Sequence, residues 1–246
     1  MERLDIVNED IKLFQNLSGL TYGTDALLLS AFIRGGKGGR AVEFGAGTGI
    51  ISLLCAKRRK FDSICAVEVQ PEYAELCRRN IEANGFEGHI SVLCADVQAL
   101  TQQAIGGQAD AVFANPPYIK QGTGVGNADR GKYIARHEVL GGAAEFSKAA
   151  SRLLKHGGAF YVVYRPDRLD DLMLALRQNS LAPKRMTLVY GDEQHDACLV
   201  LVEAKKGGGA GIFVTKPLLI KDNGADSADM RYIYKNGEFH ERFRKK

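Results

Sequence analysis

The chain has 246 residues and a formal net charge of +4. Its hydrophobic fraction of 45% and charged fraction of 25% are ordinary globular values, which excludes a disordered or fibrous protein. The first residues lack the apolar core of a secretory signal, and no apolar run approaches the roughly 20 residues of a membrane span. We therefore expect a cytoplasmic protein that does not bind membranes.

The five cysteines show no C-x-x-C spacing and lie mostly in apolar segments. This pattern is typical of reduced, buried thiols in a cytoplasmic protein. They are Cys55, Cys65, Cys77, Cys94 and Cys198. No H-E-x-x-H or H-x-E…C-x-x-C spacing is present, so the sequence predicts no metal site.

Short apolar runs alternate with helical patterns from residue 41 to 206. Predicted strands are 41–45, 63–69, 90–96, 110–117, 159–165, 183–191 and 197–206, and predicted helices are 48–57, 71–84, 97–104, 145–155 and 166–179. Near-continuous apolar strands between amphipathic helices predict a parallel sheet covered on both faces. The loop 191–196 is too short for a parallel crossover, so the last strand is antiparallel. We expect a Rossmann-like α/β fold with seven strands.

Two segments flank the predicted core, 41–206. Residues 1–40 contain two short strand patterns, LDIVN and IKLFQ, and a helix that begins near Thr24 and Asp25. We expect this segment to form a cap on the cofactor site. Residues 207–246 begin with a glycine-rich break, and Asn236-Gly237 in YIYKNGEFHERF predicts a turn, so we expect a peripheral hairpin there.

The segment EFGAGTG (43–49) joins the first core strand to the first core helix. Gly45, Gly47 and Gly49 permit a sharp turn and a close approach of the backbone to a ligand, with Ala46 and Thr48 between them. The spacing differs from G-x-G-x-x-G, and no G-K-[ST] follows, so a P-loop is excluded. Glu43 is expected to accept hydrogen bonds from N–H groups of this loop. The alternative is a glycine-rich turn without a ligand.

Two acidic residues end the next two predicted strands. Glu68 is placed to accept both hydroxyls of a ribose, which also disfavours a 2′-phosphate. Asp96 is placed to accept the amino group of an adenine. Each acid alone is equally well explained as a helix N-cap or a surface charge. Their register at successive strand ends favours a ligand site at this edge.

The tetrapeptide NPPY (115–118) follows the fourth predicted strand. Pro116 and Pro117 stiffen the turn and restrict Asn115 before them. The Asn115 side-chain oxygen and the Pro116 carbonyl then form two acceptors that hold a planar amine and orient its lone pair toward a methyl donor. Tyr118 would stack on a flipped base. The alternative is a purely structural Pro-Pro turn.

Taken together, EFGAGTG, VEVQ, CAD and NPPY resemble class I methyltransferases that modify planar amino nitrogens. KLFQ, YGTDALLLSAF, ARHE, RLLKHGGAFYVVYRPDRL and LVLVEAKKGG extend the resemblance to a bacterial small-methyltransferase group that includes tRNA(Val) adenine-N6-methyltransferases. The resemblance implies S-adenosyl-L-methionine as cofactor and N6 of an adenine next to the anticodon of a tRNA as target. GDEQHDA (191–197) and the charged tail after Gly224 depart from the group's pattern.

The resemblance also implies a set of cofactor-binding positions beyond the glycine loop. Gln15, Tyr22, Thr24 and Asp25 would close over the cofactor from the N-terminal side. The remaining positions follow the strands and complete the predicted site: Glu68, Val69, Gln70, Asp96, Val97 and Asn115.

A long segment, 119–138, links the NPPY turn to the next helix. Its basic residues fit phosphate contacts to RNA, and the alternative is a solvated lid. They are Lys120, Arg130, Lys132 and Arg136. A second basic run, KRRK (57–60), follows the first core helix, where cations complement the helix dipole, and we interpret it as structural.

Three other functions stay open on the sequence. One is methylation of a glutamine side chain in a protein such as a release factor, but such enzymes usually carry a helical N-terminal domain, for which residues 1–40 leave little room. Another is N2-guanine or N6-adenine methylation of rRNA. The third is an RNA-binding module with a vestigial cofactor pocket, against which the intact NPPY argues. The sequence does not predict an oligomeric state.

Overall fold

The computed structural model describes residues 2–8, 11–16, 22–36, 38–116 and 142–243. Its strands are β1 (Glu2–Val7), β2 (Ile11–Asn16), β3 (Arg40–Phe44), β4 (Ser63–Glu68), β5 (Ile90–Cys94), β6 (Ala109–Ala114), β7 (Leu154–Tyr164), β8 (Leu181–Tyr190), β9 (Ala197–Lys206), β10 (Phe213–Val214), β11 (Leu218–Leu219), β12 (Lys221–Asp222) and β13 (Ala225–Asp226). Its helices are α1 (Thr24–Phe32), α2 (Ile50–Lys57), α3 (Pro71–Ala83), α4 (Ala143–Leu153), α5 (Leu169–Gln178) and α6 (Ala228–Asn236).

A central sheet follows the order β5-β4-β3-β6-β7-β9-β8. The first five of these strands are parallel, and β9 lies antiparallel between β7 and β8. The predicted Rossmann-like α/β fold is confirmed, including the antiparallel strand after the short loop. The described sheet has nine strands instead of seven, because the two-residue strands β10 and β11 add to the edge of β8.

The apolar core forms two layers, one on each face of the sheet. Alternate residues of β3 point to opposite faces, so Ala41 joins the cluster that contains α1, α2 and α6. Val42 and Phe44 join the cluster that contains α4 and α5. This alternation is the period of two that a strand imposes on its side chains. Because both faces are covered, the strands read as continuous apolar runs in the sequence.

The N-terminal hairpin of β1 and β2 is attached to α3 by two asparagine side chains. Asn80 accepts from the N–H of Phe14 at 2.7 Å and donates to its carbonyl at 3.1 Å. Asn84, one turn later, makes the same pair of contacts with Lys12 at 2.9 and 2.7 Å. The edge of β2 therefore finds its hydrogen-bond partners on a helix, which protects a strand edge that is otherwise open to aggregation. The division at residues 40 and 206 stays a prediction.

The hairpin predicted at Asn236-Gly237 is wrong. Those residues end helix α6, with Gly237 in the left-handed region at φ 64°. An Asn-Gly pair satisfies the φ requirement of a hairpin turn and of a helix C-terminus equally well. Met230 and Ile233 are fully buried in the core, so α6 is an integral part of it. A small hairpin does occur nearby, between β12 and β13, around Asn223 and Gly224.

Three smaller expectations also need correction. The predicted helix 97–104 is only a single 3₁₀ turn, Val97–Ala99. Helix α4 ends at Leu153 because β7 begins at the next residue and pairs with β6. All five thiols are free, but Cys94 and Cys198 are exposed, Cys94 because it ends the edge strand β5.

Within the described ranges, no helix has the length and hydrophobicity to cross a membrane.

Candidate functional site

The predicted site residues lie where the chain reverses direction across the sheet. From β3 the chain continues outward through β4 and β5, whereas β6 returns to the other side of β3. The parallel register pairs Phe44 with Ala114, so the glycine loop and Asn115 leave adjacent strands at the same edge. In open α/β sheets, ligands bind at the carboxyl edge at such a switch point.

The glycine loop turns through left-handed backbone conformations. Gly45, Gly47 and Gly49 have φ values of 64°, 54° and 82°. A Cβ atom on Gly45 or Gly47 would meet no atom within 4 Å, so their backbone faces open space. A Cβ atom on Gly49 would lie 2.6 Å from Sγ of Cys77, which shows close packing of the loop on α3. The loop therefore combines an anchored end with an open concave side.

Glu43 is buried below the loop, but its partner is not the loop. One carboxyl oxygen accepts from the backbone N–H of Ser52 at 3.0 Å and from the Ser52 hydroxyl, both in α2. The prediction that Glu43 holds the loop amides is wrong, because its carboxyl group accepts from Ser52 at the start of α2 instead. Burial raises the pKa of Glu43 to about 8, against the opposing effect of the Ser52 hydrogen bonds.

Glu68 takes the place in the loop that was predicted for Glu43. Its carboxylate accepts from the N–H of Gly47 at 2.9 Å and from the N–H of Gln70 at 3.0 Å. The side chain is 4% exposed. Each oxygen retains a further lone pair, since a carboxylate offers about four acceptor positions. Glu68 is thus both a brace for the loop and an acceptor at the strand end.

Asp96 lies beyond the end of β5, next to Glu68 in the sheet, because Glu68 pairs with Cys94. It caps the 3₁₀ turn by accepting from the N–H of Gln98 at 2.8 Å. The capping role uses one oxygen of the half-buried carboxylate. The helix-cap explanation is confirmed for Asp96, and its ligand role stays a prediction.

Asn115 and Asp25 are joined by a hydrogen bond that links β6 to α1. The Asn115 Nδ2 atom donates to Asp25 Oδ2 at 2.9 Å, and Asp25 Oδ1 accepts from the N–H of Ala26 at 2.9 Å. A carboxylate only accepts, so it selects the amino arm of the asparagine amide. The carbonyl arm, Oδ1, then points away from Asp25.

The other N-terminal positions differ in their surroundings. Gln15 is 1% exposed, and its Oε1 atom accepts from the N–H of Tyr22 at 2.9 Å. Its amide nitrogen donates to Asp5. Gln15 thus fixes the backbone of Tyr22, which is half-buried, whereas Thr24 is exposed.

Asn80 is a site residue that the sequence analysis missed. Besides holding Phe14, its amide donates to the carbonyl of Thr48 at 2.9 Å, so one fully buried side chain ties the glycine loop to the N-terminal hairpin. The signal was available, because Asn80 interrupts the apolar stripe of an amphipathic helix. A buried polar residue in such a stripe requires hydrogen-bond partners.

Several predicted positions cannot be compared. Pro117, Tyr118, Lys120, Arg130, Lys132 and Arg136 lie outside the described residues. The remaining loop and strand-end positions lie at the switch-point edge with those above, namely Ala46, Thr48, Val69, Val97 and Pro116. In the part of the chain that the structure describes, no group of three or more His, Cys, Asp or Glu side chains is arranged to hold a metal.

The family model of the methyltransferase small domain matches residues 18–175, which is more than half of the chain. A curated protein of Porphyromonas gingivalis, named tRNA1(Val) (adenine(37)-N6)-methyltransferase, is 31% identical over 173 residues, covering 68% of this chain and 67% of its own. A protein of the same name from Bacteroides fragilis is 29% identical over 167 residues, covering 68% and 69%.

A solved structure also shares the fold. It is described as a predicted O-methyltransferase from Agrobacterium tumefaciens and superposes with a TM-score of 0.71 at 24% identity. The superposition covers 88% of this chain and 98% of that chain. At this level of identity, the likeness shows the fold alone.

Proposed function

The chain belongs to the methyltransferase small domain family, and from this premise we propose that it methylates N6 of an adenine in tRNA, with S-adenosylmethionine as methyl donor. The relatives that support this target are named for adenine 37 of tRNA1(Val). We propose the same nucleotide as the target of this chain. The observation that carries the proposal is the oriented amide of Asn115 at the switch point.

The carboxyl edge of β3, β4 and β5 fits the proposed cofactor. S-adenosylmethionine supplies an electrophilic methyl group when it is bound. The open side of Gly45 and Gly47 leaves room for a ligand against the backbone. The Glu68 carboxylate suits ribose hydroxyls and Asp96 an adenine amino group, since both need acceptors. Gln15, Tyr22 and Thr24 would contribute from the N-terminal side.

The target amine is held by two acceptors. Asn115 Oδ1 takes one N–H and the Pro116 carbonyl the other, which orients the nitrogen lone pair toward the methyl group. As positive charge develops on nitrogen, both hydrogen bonds strengthen, so their effect falls on the transition state. The proton is then released to solvent after transfer.

RNA contacts complete the proposal. Tyr118 stacks on the flipped base, and Pro117 stiffens the turn before it. Lys120, Arg130, Lys132 and Arg136 contact phosphates near the target. Because these contacts do not depend on the RNA sequence and release counterions, we expect the affinity for RNA to fall as the salt concentration rises.

The test uses labelled S-adenosylmethionine with a transcript of tRNA(Val), followed by nucleoside analysis. We expect N6-methyladenosine with the wild-type chain, none in a transcript that carries guanine at position 37, and strongly reduced product with Asn115→Ala. Release factor and rRNA are assayed as alternative substrates in separate, parallel reactions.

Methylation of the release factor or of rRNA but not of tRNA would reject the proposed substrate. Unchanged single-turnover chemistry in Asn115→Ala would reject the proposed mechanism, whatever the substrate. Product in the guanine-37 transcript would assign the reaction to a different nucleotide.

A further inference from the structure

A strongly basic cleft lies at the opposite edge of the sheet from the proposed active site. Its volume is about 700 Å³, and the C-terminal segment after α6 forms one wall. Five basic side chains line it against one acidic side chain, Glu238. The basic residues are Arg34, Arg58, Arg59, Lys60 and Arg185.

The two inner cations have structural partners. Lys60 Nζ donates to the carbonyls of Ser30 and Ile33 at 2.6 and 2.7 Å. Arg185 donates to the carbonyl of Phe32 at 2.6 Å and pairs with Glu203 at 2.9 Å. They stabilise the negative end of α1, where the last carbonyls lack helical partners. Two donors of each side chain are therefore engaged within the fold.

The three outer cations are different. Arg34, Arg58 and Arg59 are exposed at the mouth of the cleft. Arg58 donates to the carbonyl of Lys235 at 3.1 Å, whereas the side chains of Arg34 and Arg59 make no hydrogen bond or ion pair with the described part of the chain. Five cations held together against the single carboxylate of Glu238 in the lining repel one another, which destabilises the folded state. An anionic partner would remove that cost.

Arg59 has a backbone conformation that is unfavourable for a non-glycine residue, and no contact of its side chain with the described part of the chain compensates for it. It occupies the position after the cap of α2 with φ 49°, where glycine is the usual residue. The N–H of Arg59 bonds to Ala56 and that of Lys60 bonds to Cys55, the pattern of a Schellman motif. Glycine would fit this position better than arginine, so replacing Arg59 by glycine should remove the charge without straining the backbone.

The placement of the cleft limits which partner it suits. Arg34 precedes β3, and Arg58 and Arg59 precede β4, whereas the glycine loop and Glu68 end those strands. Five-residue β3 separates the two edges by about 16 Å at ~3.3 Å per residue. A ligand at the cleft therefore does not react at Asn115, but a folded tRNA is long enough to reach both edges.

We propose that this cleft binds backbone phosphates of the tRNA body, away from the nucleotide that is methylated. The inference rests on the proposed function for the identity of the RNA. Exposed guanidiniums at the mouth suit a phosphodiester chain that crosses the cleft, because arginine donates to phosphate in a forked geometry. A small free phosphate would need convergent donors deeper in the cleft, where Lys60 and Arg185 already direct two donors each to the fold.

The test compares full-length tRNA with its isolated anticodon stem-loop. The variant Arg34→Ala/Arg59→Gly removes two mouth charges, and Lys148→Ala/Arg177→Ala removes two exposed charges from α4 and α5 as a matched control. Binding is measured by filter retention between about 50 and 200 mM salt. Melting temperature and methylation of the stem-loop are measured for every variant.

For full-length tRNA, we expect the cleft variant to bind roughly fivefold to tenfold more weakly at the lower salt and the salt slope to fall by about 1.5 to 2. Stem-loop binding and methylation should not change, and the melting temperature should stay the same or rise because Arg59→Gly relieves the backbone. The control variant should resemble the wild type.

Three outcomes would overturn the proposal. The first is a salt slope for tRNA binding that stays at the wild-type value in the cleft variant. The second is an equal decrease of that slope in the control variant. The third is a loss of stem-loop affinity as large as the loss for the whole tRNA. Competition by inorganic phosphate with no change in tRNA affinity would assign the cleft to a free anion. Failure of the wild-type chain to methylate either RNA would count against the proposed function and would leave the binding comparison intact.

Discussion

Replacing Asp25 by alanine should slow methyl transfer by releasing the amide of Asn115. The carboxylate accepts from Asn115 Nδ2 at 2.9 Å and is itself fixed by the N–H of Ala26 at the start of α1. Without it, the amide can rotate by half a turn and present its amino group to the substrate amine. Two donors would then face each other, and the acceptor that orients the lone pair would be lost.

The magnitude follows from the type of hydrogen bond. A bond to a charged acceptor contributes about 1.5–3 kcal/mol, which corresponds to a decrease in kcat of roughly 10-fold to 150-fold. Asn115→Ala removes the acceptor itself and should cost roughly 10²–10³-fold, with oxyanion-hole donors as the guide. Asp25→Asn should keep part of the rate, since its own carbonyl oxygen can accept from Nδ2.

A double-mutant cycle in single-turnover methylation tests this reasoning. If Asp25 acts through Asn115, then adding Asp25→Ala to Asn115→Ala should change the rate little further. The affinity for S-adenosylhomocysteine is measured separately, and Asp62→Ala is the control, because this exposed carboxylate accepts from a backbone N–H at the other edge. Multiplicative losses in the double variant, or a loss confined to cofactor affinity, would refute a positioning role.

Three further predictions concern the loop and its supports. Glu68→Ala should weaken S-adenosylhomocysteine binding by roughly 10-fold to 150-fold in titration calorimetry, whereas exposed Glu75→Ala should not. Glu43 has its pKa raised from 4.5 to about 8, so its contribution to stability is present below about pH 4.5 and is lost as pH rises to about 8. Glu43→Gln should flatten this dependence in urea unfolding at pH 5 and 8. Asn80→Ala should lower the melting temperature by about 5–10 °C, because buried backbone groups of Phe14 and Thr48 lose their partner.

The site residues at the strand ends were predictable from the sequence because each one directly follows the apolar run of its own strand. Glu68 and Asp96 each follow an apolar run, and the parallel topology brings such ends to one edge. The same logic located the glycine loop and Asn115. The fold and the outline of the site therefore depend on local patterns that the sequence displays directly.

Contacts between distant segments were not predictable in this way. The bond between Asp25 and Asn115 joins residues that are 90 positions apart, and no local pattern indicates it. Side-chain direction at the strand end decides that Glu68, and not Glu43, accepts from the loop amide. The hairpin predicted at Asn236-Gly237 was wrong for another reason. This pair suits both a hairpin turn and a helix C-terminus, and the burial of Met230 distinguishes the two.

The two edges of the sheet differ in charge, and the net value of +4 conceals this difference. The switch-point edge carries the carboxylates of Asp25, Glu68 and Asp96, which favour a positively charged cofactor and amino groups. The same carboxylates repel phosphate, so we expect the phosphates beside the target base to contact the cations proposed for segment 119–138 and the base alone to approach the carboxylates. By our further proposal, cations at the other edge, Arg34 and Arg59 among them, attract more distant phosphates of the same RNA. If both proposals hold, separating these charges by the length of β3 would let one molecule attract the RNA backbone at one edge and admit the neutral base to the chemistry at the other.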